Sequence, residues 1–256
     1  MTYPILQDKV ALVTGAGMGM GAATARLLAG AGARVAVADL NEEAGERTVA
    51  EIEAEGGSAC YVKVDVSRSE QVETMVDAVV AAYGRLDVAV NNAAITPDVA
   101  PLSEFDEDYW DRLMGVNLKG VALSLKFELR QLIKQGGGGS IVNVSSVRGF
   151  SGQPNAAAYV AAKHGVVALT KVAAMENGAR NIRVNCVAPG AIDTPMLAAS
   201  LARRGQTAAD IAPTMSLLNR LGTPDEVAQA SLWLVSDLAS YVTGSTIHPD
   251  AGYTGN

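Results

Sequence analysis

Cysteine, histidine and aromatic residues are scarce in this 256-residue chain: two Cys, two His, three Phe and two Trp. Two cysteines cannot make a disulfide framework. Cys60 and Cys186 each sit in an apolar stretch that reads as a buried strand, so reduced thiols in a cytoplasmic compartment are the simplest reading. His164 and His248 have no Cys, Asp or Glu around them at metal-ligand spacing, and no metal site is expected. Positive charge is also short. Twenty Lys and Arg stand against 27 Asp and Glu, a net charge of −7, which argues against a nucleic-acid or anionic-membrane surface. No apolar run reaches transmembrane length, and residues 1–9 lack the basic-then-apolar pattern of a signal peptide. Paired carboxylates of the glycosidase kind have no clear candidate.

What is present is alternation. Short runs rich in Val and Ile at 10–13, 34–38, 59–64, 86–90, 140–144, 183–187 and 245–247 read as strands. Helical patterns separate them at 21–31, 42–55, 69–83, 106–135, 158–177 and 224–237. Ser69 is a plausible N-cap, and Thr223-Pro224 reads as an N-cap with proline at the first helical position. Strands apolar throughout are buried on both faces, as in a parallel sheet. The pattern predicts one α/β domain over 1–256, a doubly wound Rossmann-type sheet of about seven strands flanked by helices. Residues 136–139 read as a turn. The long stretch 191–220 falls outside the alternation and is expected to be a substrate lid.

The first strand runs into Thr14-Gly15-Ala16-Gly17-Met18-Gly19-Met20-Gly21 and then a helix. Glycines allow a tight turn and close approach to a pyrophosphate, and the helix N-terminus supplies N–H groups and a favourable dipole. Asp39, at the end of the second strand, can accept hydrogen bonds from adenosine ribose hydroxyls and would repel a 2′-phosphate. Neither Met18 nor Leu40 offers that phosphate a positive charge, so NAD is expected over NADP.

Tyr159 and Lys163 are spaced i, i+4 on a predicted helix and share a face. A free phenol has a pKa of about 10 and is a poor base at neutral pH. A neighbouring ammonium lowers it, and the tuned phenol can exchange a proton with an alcohol or ketone. Ser146, upstream, is placed to hydrogen-bond the substrate oxygen.

These residues resemble the short-chain dehydrogenase/reductase family over essentially the whole chain. Thr14, Gly15, Gly19 and Gly21 satisfy its TGxxxGxG pattern. Asp65-Val66 matches its adenine contact, and Asn91-Asn92-Ala93-Ala94 resembles its NNAG segment. Asn117 falls at its catalytic asparagine and Ser146 lies thirteen residues before Tyr159. Pro189-Gly190, Ile192 and Thr194 fall in its nicotinamide-carboxamide segment. Three positions depart from the pattern: Met20 for isoleucine, Ala94 for the last glycine of NNAG, and Ala251 for a glycine near the C-terminus.

The resemblance implies a catalytic set of Asn117, Ser146, Tyr159 and Lys163, with Lys163 also on the nicotinamide ribose and Asn117 organising a water relay. It implies cofactor contacts from Gly15, Met18, Gly19, Met20, Gly21, Asp39, Leu40, Asp65, Val66, Asn92, Ala93, Ala94, Tyr159, Lys163, Pro189, Gly190, Ile192 and Thr194. Substrate contacts are expected from Ser146, Arg148, Phe150, Gln153 and Tyr159, with 95–99 and 191–218 completing the pocket. Met215, Leu217 and Leu218 are expected to pack in the pocket or the lid. Ser145 is the weaker candidate beside Ser146. Arg148 could pair with a substrate carboxylate or tie down a loop. The expected reaction is interconversion of a secondary alcohol and a ketone with NAD. A 3-oxoacyl thioester reductase and a non-catalytic NAD-responsive protein are the alternatives. The helices at 113–133 and 156–174 are apolar beyond one face, and with the resemblance they imply a homotetramer or homodimer.

Overall fold

The computed structural model describes residues 5–255. Seven strands form one parallel sheet in the order β3-β2-β1-β4-β5-β6-β7. They are β1 (Val10–Thr14), β2 (Arg34–Asp39), β3 (Ser58–Lys63), β4 (Val88–Asn91), β5 (Gly139–Val144), β6 (Ile182–Val187) and β7 (Thr246–Ile247). All seven expected strands are present. The order reverses direction between β1 and β4, so the carboxyl ends of these strands open a crevice.

Both faces of the sheet are covered, which is why the strands carry so little polar sequence. In β1, Ala11 and Val13 join the core beneath helices α1 (Gly19–Gly30) and α9 (Pro224–Val235), with Leu28 and Leu232. Val10 and Leu12 point the other way. They meet α3 (Ser69–Tyr83), α5 (Gly120–Gln135) and α6 (Ala157–Asn177) through Met75, Leu125 and Val166. Helix α2 (Glu42–Ala54) completes the first layer through Ile52. Among the described residues no helix is long and apolar enough to cross a membrane.

Three local expectations change. Ser69 opens α3 but does not cap it; Arg68 holds the N-cap position with no side-chain bond. The helix expected over 106–135 is two helices, α4 (Glu107–Met114) and α5, joined by a π-helical segment, Gly115–Lys119. Such segments cluster at functional sites. The stretch 191–220 is not loop throughout. It carries α7 (Pro195–Arg204), capped by Thr194, and α8 (Ala208–Met215), with a Thr207–Asp210 capping box. Ala251 stands at φ +51°, a left-handed backbone that a glycine would hold without strain. Thr223 does cap α9, and Glu226 completes a capping box. Gly136, Gly137 and Gly138 all have positive φ, as a turn of this kind requires.

One polar chain crosses the apolar core. Asn91 Nδ2 donates to Glu128 Oε2 and to Asn143 Oδ1, each at 3.0 Å, and Asn143 Nδ2 donates to Thr170 Oγ1 at 3.0 Å. Glu128 on α5 is wholly buried. Burial pushes its carboxyl up to about 7, with the Asn91 hydrogen bond pulling the other way.

Candidate active site

A cleft of about 730 Å³ lies at the carboxyl ends of β1, β2 and β4. Its floor is the glycine turn. Gly15 and Gly19 have φ of +63° and +55°, and a Cβ on Gly21 would sit 2.1 Å from the Gly15 carbonyl oxygen. No side chain larger than hydrogen fits there. The N-terminus of α1 has no side-chain cap, so its N–H groups and dipole are left to face an anion. Asn92 braces the turn: its Nδ2 donates to Thr14 O at 3.1 Å and Gly15 O at 3.0 Å. Its backbone N–H and that of Ala93 both reach Thr14 Oγ1.

Asp39 accepts from Gly17 N at 2.8 Å and from Asn41 N at 2.9 Å. These bonds fix its carboxylate at the cleft wall, beside exposed Leu40 and Met18. Asp65 Oδ1 accepts from both the N–H and the hydroxyl of Ser67. Ser67 also lines the cleft, and sequence reading missed it; the Asp-x-Ser spacing of a side-chain turn is the signal that could have found it. Met20, Val66, Ala94 and Thr194 complete this set of expected wall residues. An uncapped helix end opposite a fixed carboxylate suits a dinucleotide, with pyrophosphate at one and ribose at the other.

A second, smaller cavity of about 180 Å³ adjoins the cleft. Tyr159, Ser145, Met20, Thr194 and Met196 line both. Ser146, Arg148, Gln153, Pro189, Gly190, Ile192 and Met215 line only the smaller one, and Lys163 only the larger. Gly21 and Asn117, expected at the site, line neither cavity. Phe150 also stands apart: it is 43% exposed and packs edge-to-face on His248 at 4.7 Å. Leu217 and Leu218 lie outside both cavities.

Tyr159 is held by its helix. Asp98, 61 residues earlier in sequence, accepts from Ala158 N at 3.2 Å and from Tyr159 N at 3.1 Å. It thereby satisfies two orphan donors at the start of α6. Sequence reading put Asp98 in the 95–99 pocket wall and missed its capping role, because a cap supplied from a distant loop leaves no local pattern. Lys163 is almost fully buried, and its Nζ donates to Val144 O at 2.8 Å. Burial brings its ammonium down to about 8. Ser145 Oγ donates to Lys163 O at 2.8 Å, so it serves the backbone of α6. Ser146 Oγ accepts from Arg148 N at 3.1 Å.

The expected tuning of Tyr159 is not met in the chain alone. Burial raises its phenol above the ordinary tyrosine value; a hydrogen bond with Ser146 and the charge of Arg148 pull it down by less. The Lys163 ammonium is 5.6 Å from the ring centroid, and burial still outweighs what favours the phenolate. Asn117 is wholly buried in the π-helical segment. Its Oδ1 accepts from Ile95 N at 2.8 Å and its Nδ2 donates to Ile95 O at 3.1 Å. The side chain thus locks the strand exit onto the kinked helix. His164 turns its Nδ1 to Val160 O, and no group of three or more possible metal ligands occurs among the described residues.

The family profile described as enoyl-(acyl carrier protein) reductase matches residues 15–254. The chain is 52% identical over 248 residues to the short chain dehydrogenase/reductase astE of Aspergillus oryzae, covering 96% of this chain and 95% of that one. It is 44% identical over 252 residues to 2,5-dichloro-2,5-cyclohexadiene-1,4-diol dehydrogenase of Sphingobium indicum, covering 97% and 98%. The crystal structure of a levodione reductase superposes with a TM-score of 0.92 at 36% identity, covering 98% of this chain and 99% of that one. The chain belongs to the short-chain dehydrogenase/reductase family, and it is an oxidoreductase.

Proposed function

We propose that this protein oxidises a ring-borne secondary alcohol to its ketone, reversibly, with NAD as the hydride acceptor. The observation that carries the reading is the position of Tyr159, in the wall common to the dinucleotide cleft and the smaller cavity. A substrate carbinol in the smaller cavity can present its hydroxyl to the phenol and its carbon toward the cleft. When bound, the nicotinamide supplies the two-electron hydride chemistry.

The chain's own residues do the rest. Tyr159 takes the hydroxyl proton in oxidation and returns it in reduction. Ser146 hydrogen-bonds the same oxygen and limits its drift. Lys163 orients the cofactor ribose, its ammonium steadied by Val144 O. Asn117 has committed both side-chain polar atoms to Ile95, so a relay water would find its backbone carbonyl rather than its amide. Asp39 selects NAD, because a carboxylate at that wall accepts from ribose hydroxyls and repels a phosphate. The segment 191–220, with α7 and α8, closes the substrate side as a lid. A ring-sized substrate fits the diol dehydrogenase resemblance and the mostly apolar walls.

The protein assembles as a homodimer or homotetramer, in the cytoplasm. Met175 on α6 is 86% exposed and Val172 is 50% exposed, apolar surface that a second subunit would cover. Light scattering giving a monomer at micromolar concentration contradicts the assembly. The test of the reaction is a panel of cyclic and open-chain secondary alcohols with NAD and with NADP, followed by reduced-cofactor absorbance. Turnover of ring alcohols with NAD is expected; no turnover with any alcohol contradicts the reading.

A further inference from the structure

The smaller cavity carries positive charge without an answering acid. Arg148 and Arg204 both line it, and no Asp or Glu does. This occurs in a chain whose net charge is −7. Arg148 donates through Nη1 to Ser151 Oγ at 3.2 Å, Gly152 O at 3.1 Å and Tyr253 Oη at 2.8 Å, and through Nη2 toward Met215 Sδ. Each of these acceptors is neutral. The network holds the guanidinium in place but leaves its charge uncompensated.

Arg204, at the C-terminal end of α7, makes no salt bridge among the described residues. Partial burial first, then the charges of Arg148 and Arg203, hold its guanidinium below the usual arginine value, with Asp98 opposing. Asp98 is the acid whose charge opposes that shift, and both Asp98 oxygens accept from the start of α6. The two cations therefore repel across a cavity whose other named polar groups, Gln153 and Gln206 among them, are neutral. Arg148 is also close enough to Tyr159 to pull on its phenol.

We propose that Arg148 and Arg204 receive a carboxylate on the substrate, so that the preferred substrate is a ring-borne hydroxy acid or the corresponding keto acid. The proposal rests on the alcohol–ketone reading above and adds the charged group that the substrate carries. A planar guanidinium fork matches a carboxylate in two parallel hydrogen bonds. Because Arg148 acts on Tyr159, the carboxylate lies within Coulombic reach of the reacting oxygen, which favours a compact acid over a long chain. Neutral ring alcohols remain substrates of lower kcat/KM, since they fill the cavity and leave the cations unanswered.

The test compares 4-hydroxycyclohexanecarboxylate, in both ring configurations, with its methyl ester, which keeps the ring and removes the charge. Charge-assisted hydrogen bonds of about 1.5–3 kcal/mol correspond to about a 10- to 100-fold preference in kcat/KM for the acid. Arg204→Gln and Arg148→Gln should each drive the acid-to-ester ratio toward one, the ester serving as reference within each protein. An acid-to-ester ratio of one or below in the wild type overturns the proposal. So does a ratio that neither substitution changes, which would make the arginines lid tethers. Faster reduction of an acetoacetyl thioester of coenzyme A than of any ring keto acid moves the anion to a carrier phosphate and also overturns it. If no alcohol turns over, the reading of the reaction has failed instead. Calorimetry with inert cyclohexanecarboxylate and its methyl ester then decides the carboxylate site by itself. Binding of the acid that Arg204→Gln abolishes supports the site, and equal or absent binding of the two overturns it.

Discussion

At the scale of single residues, the proposed chemistry rests on a phenol whose surroundings do not make it a base in the chain alone. Burial outweighs Ser146 and Arg148, and Tyr159 stays protonated past the ordinary tyrosine value. The positive nicotinamide of bound NAD acts in the opposite sense. Oxidation needs the phenolate, so its initial rate should rise from neutral to alkaline pH; reduction needs the phenol, which the uncharged ring of NADH leaves protonated, and should stay nearly flat over the same range. Initial-rate profiles on one alcohol–ketone pair, with a deuterium isotope effect to show that hydride transfer limits, measure this. A flat oxidation profile under that condition removes the role. Tyr159→Phe should lower kcat by about 10²–10⁴-fold while NADH binding stays nearly intact. Retention of a tenth of wild-type turnover would rule Tyr159 out.

Asp39 is the residue proposed to select the cofactor. Its two oxygens are pinned by Gly17 N and Asn41 N, so the carboxylate cannot swing aside for a 2′-phosphate. Asp39→Ala with Leu40→Arg removes the repulsion and places a guanidinium at an exposed position on the wall. The ratio of kcat/KM for NADP to that for NAD should rise by at least about 10-fold, the equivalent of roughly 1.4 kcal/mol. A wild-type preference for NADP would contradict the assignment before any mutant is made.

At the scale of elements, what was legible in the sequence was whatever local pattern encodes. The strands were readable because burial on both faces demands unbroken Val, Ile and Ala, as β1 shows with all five residues buried. The glycine turn was readable because positive φ at Gly15 and Gly19 and the crowding at Gly21 leave no other residue type. What escaped is tertiary. The π-helical break at Gly115–Lys119 answers to contacts across the fold: Asn117 grips Ile95, and a Cβ on Gly120 would lie 2.8 Å from Val66 Cγ2. Helices α7 and α8 did have signals, Thr194-Pro195 and the Thr207–Asp210 box, but both are short, and alanines on their exposed sides blur the contrast between an apolar and a polar face. Phe150 shows the reverse error. Its closeness to Ser146 in sequence put it in the cavity, whereas its ring packs on His248.

Asp98 is the element-scale feature with the clearest consequence. It caps α6 at the turn that carries Tyr159, from a loop whose Pro97 lines the smaller cavity. Asp98→Ala should cost about 1–2 kcal/mol in unfolding free energy, as the loss of an N-cap does. Because the same bonds position the phenol, kcat should fall more than KM rises, and Asp98→Asn, which keeps one acceptor oxygen, should recover part of both. Denaturant melts and steady-state kinetics on the two variants check this. Equal loss in both variants, or a change in KM alone, would mean that the cap holds the loop and not Tyr159.

At the scale of the whole molecule, the sheet is tied through its centre by a polar chain that runs from α5 through β4 and β5 to α6. Glu128 is its one ionisable member. A carboxyl at about 7 in the fold against 4.5 when unfolded means that the native state holds more protons over that interval. Stability then falls as pH rises. The contribution is complete below about 4.5, declines through the interval, and is lost once the pH passes about 7. The interval is equivalent to on the order of 3 kcal/mol. Glu128→Gln keeps the shape, removes the titration, and supplies an amide N–H where the protonated acid supplies O–H. Asn91 Oδ1 and Glu128 Oε1 both lack a partner among the described residues, so the neighbourhood is short of donors and not of acceptors. The variant should match wild type near pH 5 and exceed it above pH 7, with a flatter profile between. Urea unfolding at several pH values, with the protein held free of nucleotide, measures the difference. A variant less stable than wild type at every pH would show that Glu128 is ionised in the native state and that its charge is part of what holds the sheet to α5.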